Sequence, residues 1–291
     1  MVVGGMLGPE RSRDELLADY KLQTLSALDK SNLTSDERFC HVVAKSECLL
    51  GKIVDTFSQD RQQEVVNAIL DMVNLHAGQA PRLSGELVVE HLLEVASLLF
   101  DIMRDPQPED VVVALLHDAT EDRAKEIRRT SIDEMDSLSF FSGAEWDLFF
   151  SSLRMEHVYG ERIKKKLAAL VKPDYDRAIA EDVMQQEKEG VVTETSAELR
   201  NRFFVEYLKR VLDDLEIGPI KLADFVINAT RTNEIPDSST GDRERIQAKY
   251  LNGFEVVLRR IRKPEFAARL KDPSGLFLGL EAVYERDYLK V

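Results

Sequence analysis

A short segment rich in metal-binding side chains ends an apolar run in the middle of the chain. Residues 111–122 read VVVALLHDATED and place His117 beside Asp118. At about 100° per residue in a helix, Glu121 lies one turn after His117, and Asp122 lies one turn after Asp118. One helix end would therefore present an imidazole and three carboxylates to the same space. Such a cluster is costly to bury unless a cation or a hydrogen-bond network compensates it.

Two other segments carry side chains of the same kinds. IKLADFVIN, residues 220–228, places Asp224 and Asn228 one turn apart on a mostly apolar helix, and His91 opens an amphipathic helix that follows Gly85. Imidazole together with carboxylate suits transition metals such as manganese, iron or zinc better than calcium. Taken singly, a histidine at a helix start is usually capped or exposed, and a buried Asp224 could simply pair with Arg or Lys. The combination of the three segments predicts a metal site.

The elements that would position these side chains are predicted to be helices. Apolar residues recur at the i, i+3, i+4 spacing over 62–76, 92–99 and 204–215, and alternating strand patterns are almost absent. The sequence therefore predicts an all-α fold with a helical N-terminal extension (1–60), a main domain (61–265) and a C-terminal tail packed on it (266–291). Residues 180–197 are polar and acidic, and we expect either a loop or an exposed helix there. The run Lys164 to Lys166 favours a solvated helix face over a mouth that attracts phosphate.

Composition excludes some classes of function. The chain has 291 residues and a formal net charge of -14, which argues against a nucleic-acid binder but leaves room for a nucleotide pocket with local Lys and Arg. The N-terminus has no apolar core for a signal peptide, and no apolar run approaches the roughly 20 residues that span a bilayer. Cys40 and Cys48 are expected to be reduced thiols. We expect a cytoplasmic protein that binds neither nucleic acid nor membrane, and the oligomeric state stays open.

Four motifs resemble the hydrolase domain of the RelA/SpoT alarmone enzymes, and the free-standing small alarmone hydrolases in particular. The motifs are HAGQAPRLSGE (76–86), GELVVEH (85–91), ALLHDATED (114–122) and IKLADFVINATRT (220–232). The resemblance covers roughly residues 62–232 and implies an HD-domain helical bundle, which is the fold of the HD superfamily of metal-dependent phosphohydrolases. It also implies an activity, the removal of the 3'-pyrophosphate from guanosine tetra- or pentaphosphate (ppGpp or pppGpp). The products would be GDP or GTP and pyrophosphate.

The resemblance also implies a role for each residue of the constellation. Glu121 and Asp122 would position and activate the attacking water. Arg82 would lie against the purine ring, and Asn228 would contact the nucleoside of the nucleotide substrate. The ligands of one divalent metal ion, usually manganese (Mn²⁺), would be His91, His117, Asp118 and Asp224.

The chain departs from the family pattern mainly where substrate would bind. The loop between Gln79 and Arg82 is one residue longer, and FVI at 225–227 replaces the usual Arg-Leu-His. Two alternatives therefore stay open. One is an HD nucleotidase or phosphodiesterase acting on another nucleotide, including adenine alarmones. The other is a nucleotide-sensing binding module, against which the intact Glu121 and Asp122 argue, because binding alone would not need them.

Overall fold

A computed structural model describes residues 11–31, 33–35, 37–76, 78–130, 159–172, 175–189, 194–236 and 240–289. The side chains of Ser35, Glu121, Glu187, Thr240 and residues 123–130 lie outside this description. The described part of the chain contains twelve α-helices and no strand, which confirms the all-α prediction. In chain order the helices are α1 (Arg13–Lys30), α2 (Phe39–Thr56), α3 (Gln59–His76), α4 (Val88–Ile102), α5 (Pro108–Thr130), α6 (Glu161–Leu170), α7 (Tyr175–Glu189), α8 (Ser196–Asp213), α9 (Gly218–Thr230), α10 (Thr240–Ile261), α11 (Pro264–Ala267) and α12 (Pro273–Asp287).

The helices share one continuous apolar core. Helix α4 packs against α2, α5 and α9, while α3 packs against α5 and α8 packs against α10. Helices α1 and α2, from the predicted N-terminal extension, contribute buried residues such as Leu28 and Leu50 to this same core. At the C-terminus, α12 packs against α10, and the Tyr288 hydroxyl donates to the Ala229 carbonyl at 2.7 Å. Helix α4 therefore lies where the elements with the predicted ligands meet.

The loop before α4 folds back toward the middle of the molecule. Gly78 and Gly85 adopt φ values of +74° and +89°, a left-handed conformation that glycine tolerates without steric cost. The Arg82 amide donates to the Glu86 carbonyl at 2.8 Å, and the Gly85 amide donates to the Arg82 carbonyl at the same distance. This tight turn directs the Arg82 side chain toward α5 and α9.

Helix α6 corrects the prediction for the lysine run. Lys164 is half-buried and Lys165 is exposed, but Lys166 is buried and its Nζ lies 2.7 Å from Asp110 Oδ1. Lys166 follows the buried Ile163 by three residues, so it lies on the core side of the helix and reaches the first turn of α5. The prediction that the lysine run forms a solvated helix face is therefore wrong for Lys166. For the acidic stretch at 180–197, the helical alternative is confirmed up to Glu189, where α7 ends.

Candidate metal centre

Three helices bring the predicted metal ligands together. His91 lies in the first turn of α4, His117 and Asp118 lie side by side on α5, and Asp224 lies in the middle of α9. Because α4 packs against both α5 and α9, these side chains converge although they are up to 133 positions apart in the sequence. His91, His117 and Asp224 are all buried.

The buried triad has the geometry of a metal site. One ligand atom from each of His91, His117 and Asp224 lies within 4.8 Å of the other two. Asp224 Oδ1 is 3.2 Å from His91 Nε2 and 3.6 Å from His117 Nε2, so it faces both imidazoles. Three donor atoms that face a common point in this way could hold a metal ion.

The two histidines differ in how their ring nitrogens are hydrogen-bonded. His117 Nδ1 lies 2.7 Å from the Ala114 carbonyl and donates to it, so Nε2 carries the lone pair whenever the ring is neutral. That buried Nε2 has no well-formed hydrogen bond within the described part of the chain. His91 Nε2 lies within hydrogen-bond distance of Asp224 Oδ1, at 3.2 Å, and its buried Nδ1 lies 3.7 Å from Glu86 Oε1, which is too long for a hydrogen bond. A metal at this point would replace the contact between His91 and Asp224, and Glu86 could then orient the ring through Nδ1.

The charges in the centre keep both acids ionised. Burial alone would raise the pKa of Asp118, but His117 and Arg82 hold it far below its usual value. Burial acts in the same direction on Asp224, and the Lys221 ammonium outweighs it, so that pKa is also well below normal. Burial lowers the pKa of His91, whereas for His117 the nearby carboxylates outweigh burial and raise the pKa to about 9. Two ionised carboxylates beside two imidazoles form a donor set suited to a transition metal.

Lys221 is a member of the centre that the sequence analysis did not predict. Its buried Nζ donates to Asp224 Oδ2 at 2.6 Å, while Asp224 Oδ1 faces the histidines. The possible pairing of Asp224 with a lysine and its role as a metal ligand are therefore compatible, because each uses a different oxygen. The i, i+3 spacing of Lys221 and Asp224 was the available signal.

Asp118 and the two predicted substrate residues lie at the edge of the triad. Asp118 Oδ1 is 3.3 Å from His117 Nε2, and its Oδ2 accepts a hydrogen bond from Arg82 at 3.1 Å. Arg82 also donates to Asn228 Oδ1 at 2.5 Å, and Asn228 donates to the Asp224 side chain. Asp118 as a fourth ligand, Arg82 against a purine and Asn228 on a nucleoside stay predictions, although all three side chains adjoin the centre.

The predicted catalytic carboxylates follow on the same helix. Asp122 is half-buried and lies one helical turn after Asp118 on α5. The side chain of Glu121 lies outside the described residues, so its predicted role stays a prediction.

A small, positively charged cavity adjoins the centre. Its volume is about 90 Å³, and Asp118, Asp224 and Asn228 form part of its wall. The other lining residues are either basic or aromatic, namely Arg82, Lys172, Lys221, Lys249, Phe204, Phe225 and Tyr250. A larger groove of about 500 Å³ lies between α8 and α10 and contains none of the predicted site residues. The predicted site residues Arg82, Asp118, Asp224 and Asn228 therefore line the smaller space, where four basic side chains meet two acids.

Comparisons of the chain with models of known protein families, with curated proteins and with solved structures found no match. The similarity to alarmone hydrolases therefore rests on the four motifs quoted above. Among the helices that the structure describes, none combines the length and the apolar character that crossing a membrane requires.

Proposed function

We propose that this chain is a metal-dependent phosphohydrolase of the HD superfamily that removes the 3'-pyrophosphate from guanosine tetra- or pentaphosphate. The observation that carries the proposal is the buried triad of His91, His117 and Asp224, whose ligand atoms lie within 4.8 Å of one another. The buried Nε2 of His117, which lacks a well-formed hydrogen bond, supports a metal at this point, since buried polar atoms are normally satisfied.

The residues around the triad have distinct tasks in this proposal. Manganese or another divalent metal would supply positive charge that stabilises the phosphoryl oxygens and acidifies the attacking water. Lys221 fixes Asp224 through Oδ2, so that Oδ1 stays directed at the two histidines. Asp122 or Glu121 accepts the proton of the water or orients it, and one of the two protonates the leaving oxygen.

The cations of the cavity support an anionic substrate. Four basic side chains line it, although the whole chain carries a formal net charge of -14. A phosphate group that enters this space meets a positive field even before a metal contributes its charge. Arg82 also offers a planar guanidinium, which can stack on a purine base.

A second candidate is an HD nucleotidase or phosphodiesterase that acts on another nucleotide, including an adenine alarmone. The contacts of Arg82 favour it. Arg82 hydrogen-bonds to Asp118 and Asn228, so the two residues predicted to recognise guanosine contact each other and the metal centre. In that arrangement the guanidinium is engaged within the site, and the preference for a particular base would relax.

The two candidates differ in their products. We would incubate the purified chain with Mn²⁺ and with guanosine tetraphosphate, its adenine counterpart, 3'-AMP or dGTP, and identify the products by ion chromatography. Pyrophosphate and GDP from the first substrate would support the proposal. Inorganic phosphate from 3'-AMP, or pyrophosphate from the adenine counterpart, with guanosine tetraphosphate left intact, would refute it in favour of the second candidate. Binding of nucleotides without any turnover would indicate a sensor.

A further inference from the structure

The groove between α8 and α10 has the size of a small-molecule site. Its volume is about 500 Å³, within the range of about 300–1,000 Å³ that ligand pockets occupy. More of its wall is apolar than polar, and Val205, Leu212 and Val256 contribute to that wall. The lining contains no predicted metal ligand, catalytic residue or substrate-binding residue, so the proposed function does not account for this groove.

The basic side chains of the groove outnumber its acids, and each acid already has a partner. Five basic and three acidic residues line the groove. The acids and their partners are Asp213 with Arg260, Glu255 with Arg259, and Glu198 with the amide and hydroxyl of Thr195. Arg202 pairs at 2.6 Å with Asp182, which does not line the groove. Within the described part of the chain, this leaves Lys209 and Lys263 as two exposed ammonium groups without a hydrogen bond or an ion pair.

The two lysines lie toward the same end of the groove. Arg260 Nε donates to the Leu212 carbonyl at 2.8 Å, so the C-terminal end of α10 lies against the C-terminal end of α8. Lys209 precedes Leu212 by three residues, and Lys263 follows Arg260 by three residues. The fold therefore brings two cations from separate helices to the point where α8 and α10 end together.

The apolar part of the groove begins one helical turn away from this basic end. Val205 lies four residues before Lys209 on α8, and Val256 lies four residues before Arg260 on α10. Both valines are half-buried, and both line the groove. The aliphatic stem of Lys209 continues the apolar wall toward its own ammonium group. A ligand with a negative head at the lysines would therefore place its next carbon atoms beside the two valines.

We propose that the groove between α8 and α10 binds a small amphipathic anion, with its carboxylate or phosphate head at Lys209 and Lys263 and its apolar chain between Val205 and Val256. The whole chain carries a formal net charge of -14 and repels anions in general, so a bound anion depends on local cations such as these two. A lysine ammonium acts as a point charge without the planar geometry of a guanidinium, and both head groups therefore fit. This inference goes beyond the proposed function and requires neither a metal nor a nucleotide.

Four probe molecules separate the contribution of the head from that of the apolar chain. Isothermal titration calorimetry would measure the binding of octanoate and octyl phosphate, with acetate as the head alone and octanol as the chain alone. We expect octanoate to bind at least about tenfold more tightly than acetate, because its additional methylene groups leave water. Octanol lacks the charge and should bind about tenfold more weakly than octanoate, since two exposed ion pairs are lost. The tighter of the two amphipathic anions identifies the preferred head group.

Substitutions then locate the site. Lys209→Gln and Lys263→Gln should each weaken octanoate binding about threefold, and the double variant about tenfold, whereas octanol binding should not change. Val205→Thr and Val256→Thr keep the side-chain shape but make it polar, so they should weaken octanoate binding and leave acetate binding unchanged.

The controls are matched to the charge that each variant removes. Lys209→Arg and Lys263→Arg keep the positive charge and should keep most of the affinity. Lys30→Gln removes an exposed lysine on α1, outside the groove, and should bind octanoate like the wild type. Thermal unfolding of each variant shows whether it is folded, and we expect no change because both lysines of the groove are exposed.

The possible outcomes decide the inference without reference to turnover. Selective loss of octanoate or octyl phosphate binding in the lysine and valine variants supports it, whatever the chain hydrolyses. A folded double lysine variant that binds both amphipathic anions as tightly as the wild type overturns it, because the anion then lies elsewhere on the protein. A wild-type chain that binds neither of them, or binds them no better than acetate, overturns it as well.

Discussion

Asp224 uses both of its carboxylate oxygens within the centre. Oδ1 faces His91 and His117, while Oδ2 accepts a 2.6 Å hydrogen bond from Lys221. A buried carboxylate is stable only when its charge is compensated, and the lysine supplies that compensation from one side. On the other side, Oδ1 accepts a hydrogen bond from Asn228 and also faces the two imidazoles, with which it could share a cation.

The predicted catalytic role of Glu121 and Asp122 can be tested by substitution. Glu121→Gln and Asp122→Asn preserve side-chain shape but remove the group that accepts a proton. We expect the metal content to stay at the wild-type level while turnover falls by about 10²- to 10⁴-fold, which is the usual contribution of general acid–base catalysis. Metal analysis and steady-state kinetics on the same preparations would measure both quantities. The exposed Asp14→Asn serves as the control and should behave like the wild type. Normal turnover in both variants would favour the sensor interpretation.

Residue types and spacing predicted the centre better than its surroundings. His91, His117 and Asp224 could be inferred because three segments together place imidazoles and carboxylates on apolar helices, although each residue alone has a simpler explanation. The pairing of Arg82 with Asp118 could not be inferred, because it depends on how the loop before α4 folds over α5. Lys249 carried no local signal, since an exposed lysine and a cavity-lining lysine look alike on a helix such as α10.

Between the helices, the buried ion pair of Lys166 on α6 and Asp110 on α5 is expected to stabilise the fold. Lys166 and Asp110 are both buried, so removing one partner leaves an uncompensated charge in the core. We expect Lys166→Met to lower the free energy of unfolding by about 3–5 kcal/mol. The exposed neighbour Lys165→Met should change it by less than about 0.5 kcal/mol. Urea unfolding would measure both variants, and equal midpoints for them would show that the pair does not anchor α6.

Helix α10 approaches α9 closely at Gly253, and a larger residue there would test this packing. A Cβ atom at Gly253 would lie 2.6 Å from Phe225 Cε2, and Phe225 directly follows Asp224 on α9. Gly253→Ala should therefore destabilise the fold by about 1–3 kcal/mol, the usual cost of overpacking a core. Because the clash displaces the helix that carries Asp224, we also expect weaker metal binding.

The matched control for this substitution is Gly279 on α12, where a Cβ atom would meet nothing within 4 Å. Gly279→Ala should stabilise the chain by up to about 1 kcal/mol, because alanine loses less conformational entropy than glycine in a helix. Thermal unfolding would compare the two variants. A Gly253→Ala protein as stable as the wild type would mean that Phe225 can move aside without cost.

Helical periodicity predicted the elements, because apolar residues spaced at i, i+3 and i+4 define the buried side of a helix. The prediction was wrong for Lys166 because it treated three consecutive lysines alike, although Lys166 follows Ile163 at the i+3 spacing of the buried side. For Gly253, the sequence context gives no sign that another helix packs closely against it.

At the scale of the whole molecule, charge is distributed unevenly. The chain has a formal net charge of -14, yet four basic side chains surround the cavity beside the metal centre. The sequence predicted the acidic total and allowed a local basic pocket. It could not locate that pocket, because its lysines come from α9, α10 and the segment after α6, which meet only in the folded chain.

The metal content of the purified chain tests whether His91, His117 and Asp224 form a metal site. Elemental analysis after loading with Mn²⁺ and removal of excess metal should give one divalent ion per wild-type chain. His117→Ala and Asp224→Ala should lose it, because each removes one of the three converging ligands. His41→Ala, an exposed histidine on α2, should retain it. Wild-type metal content in both His117→Ala and Asp224→Ala would contradict the assignment of this metal centre.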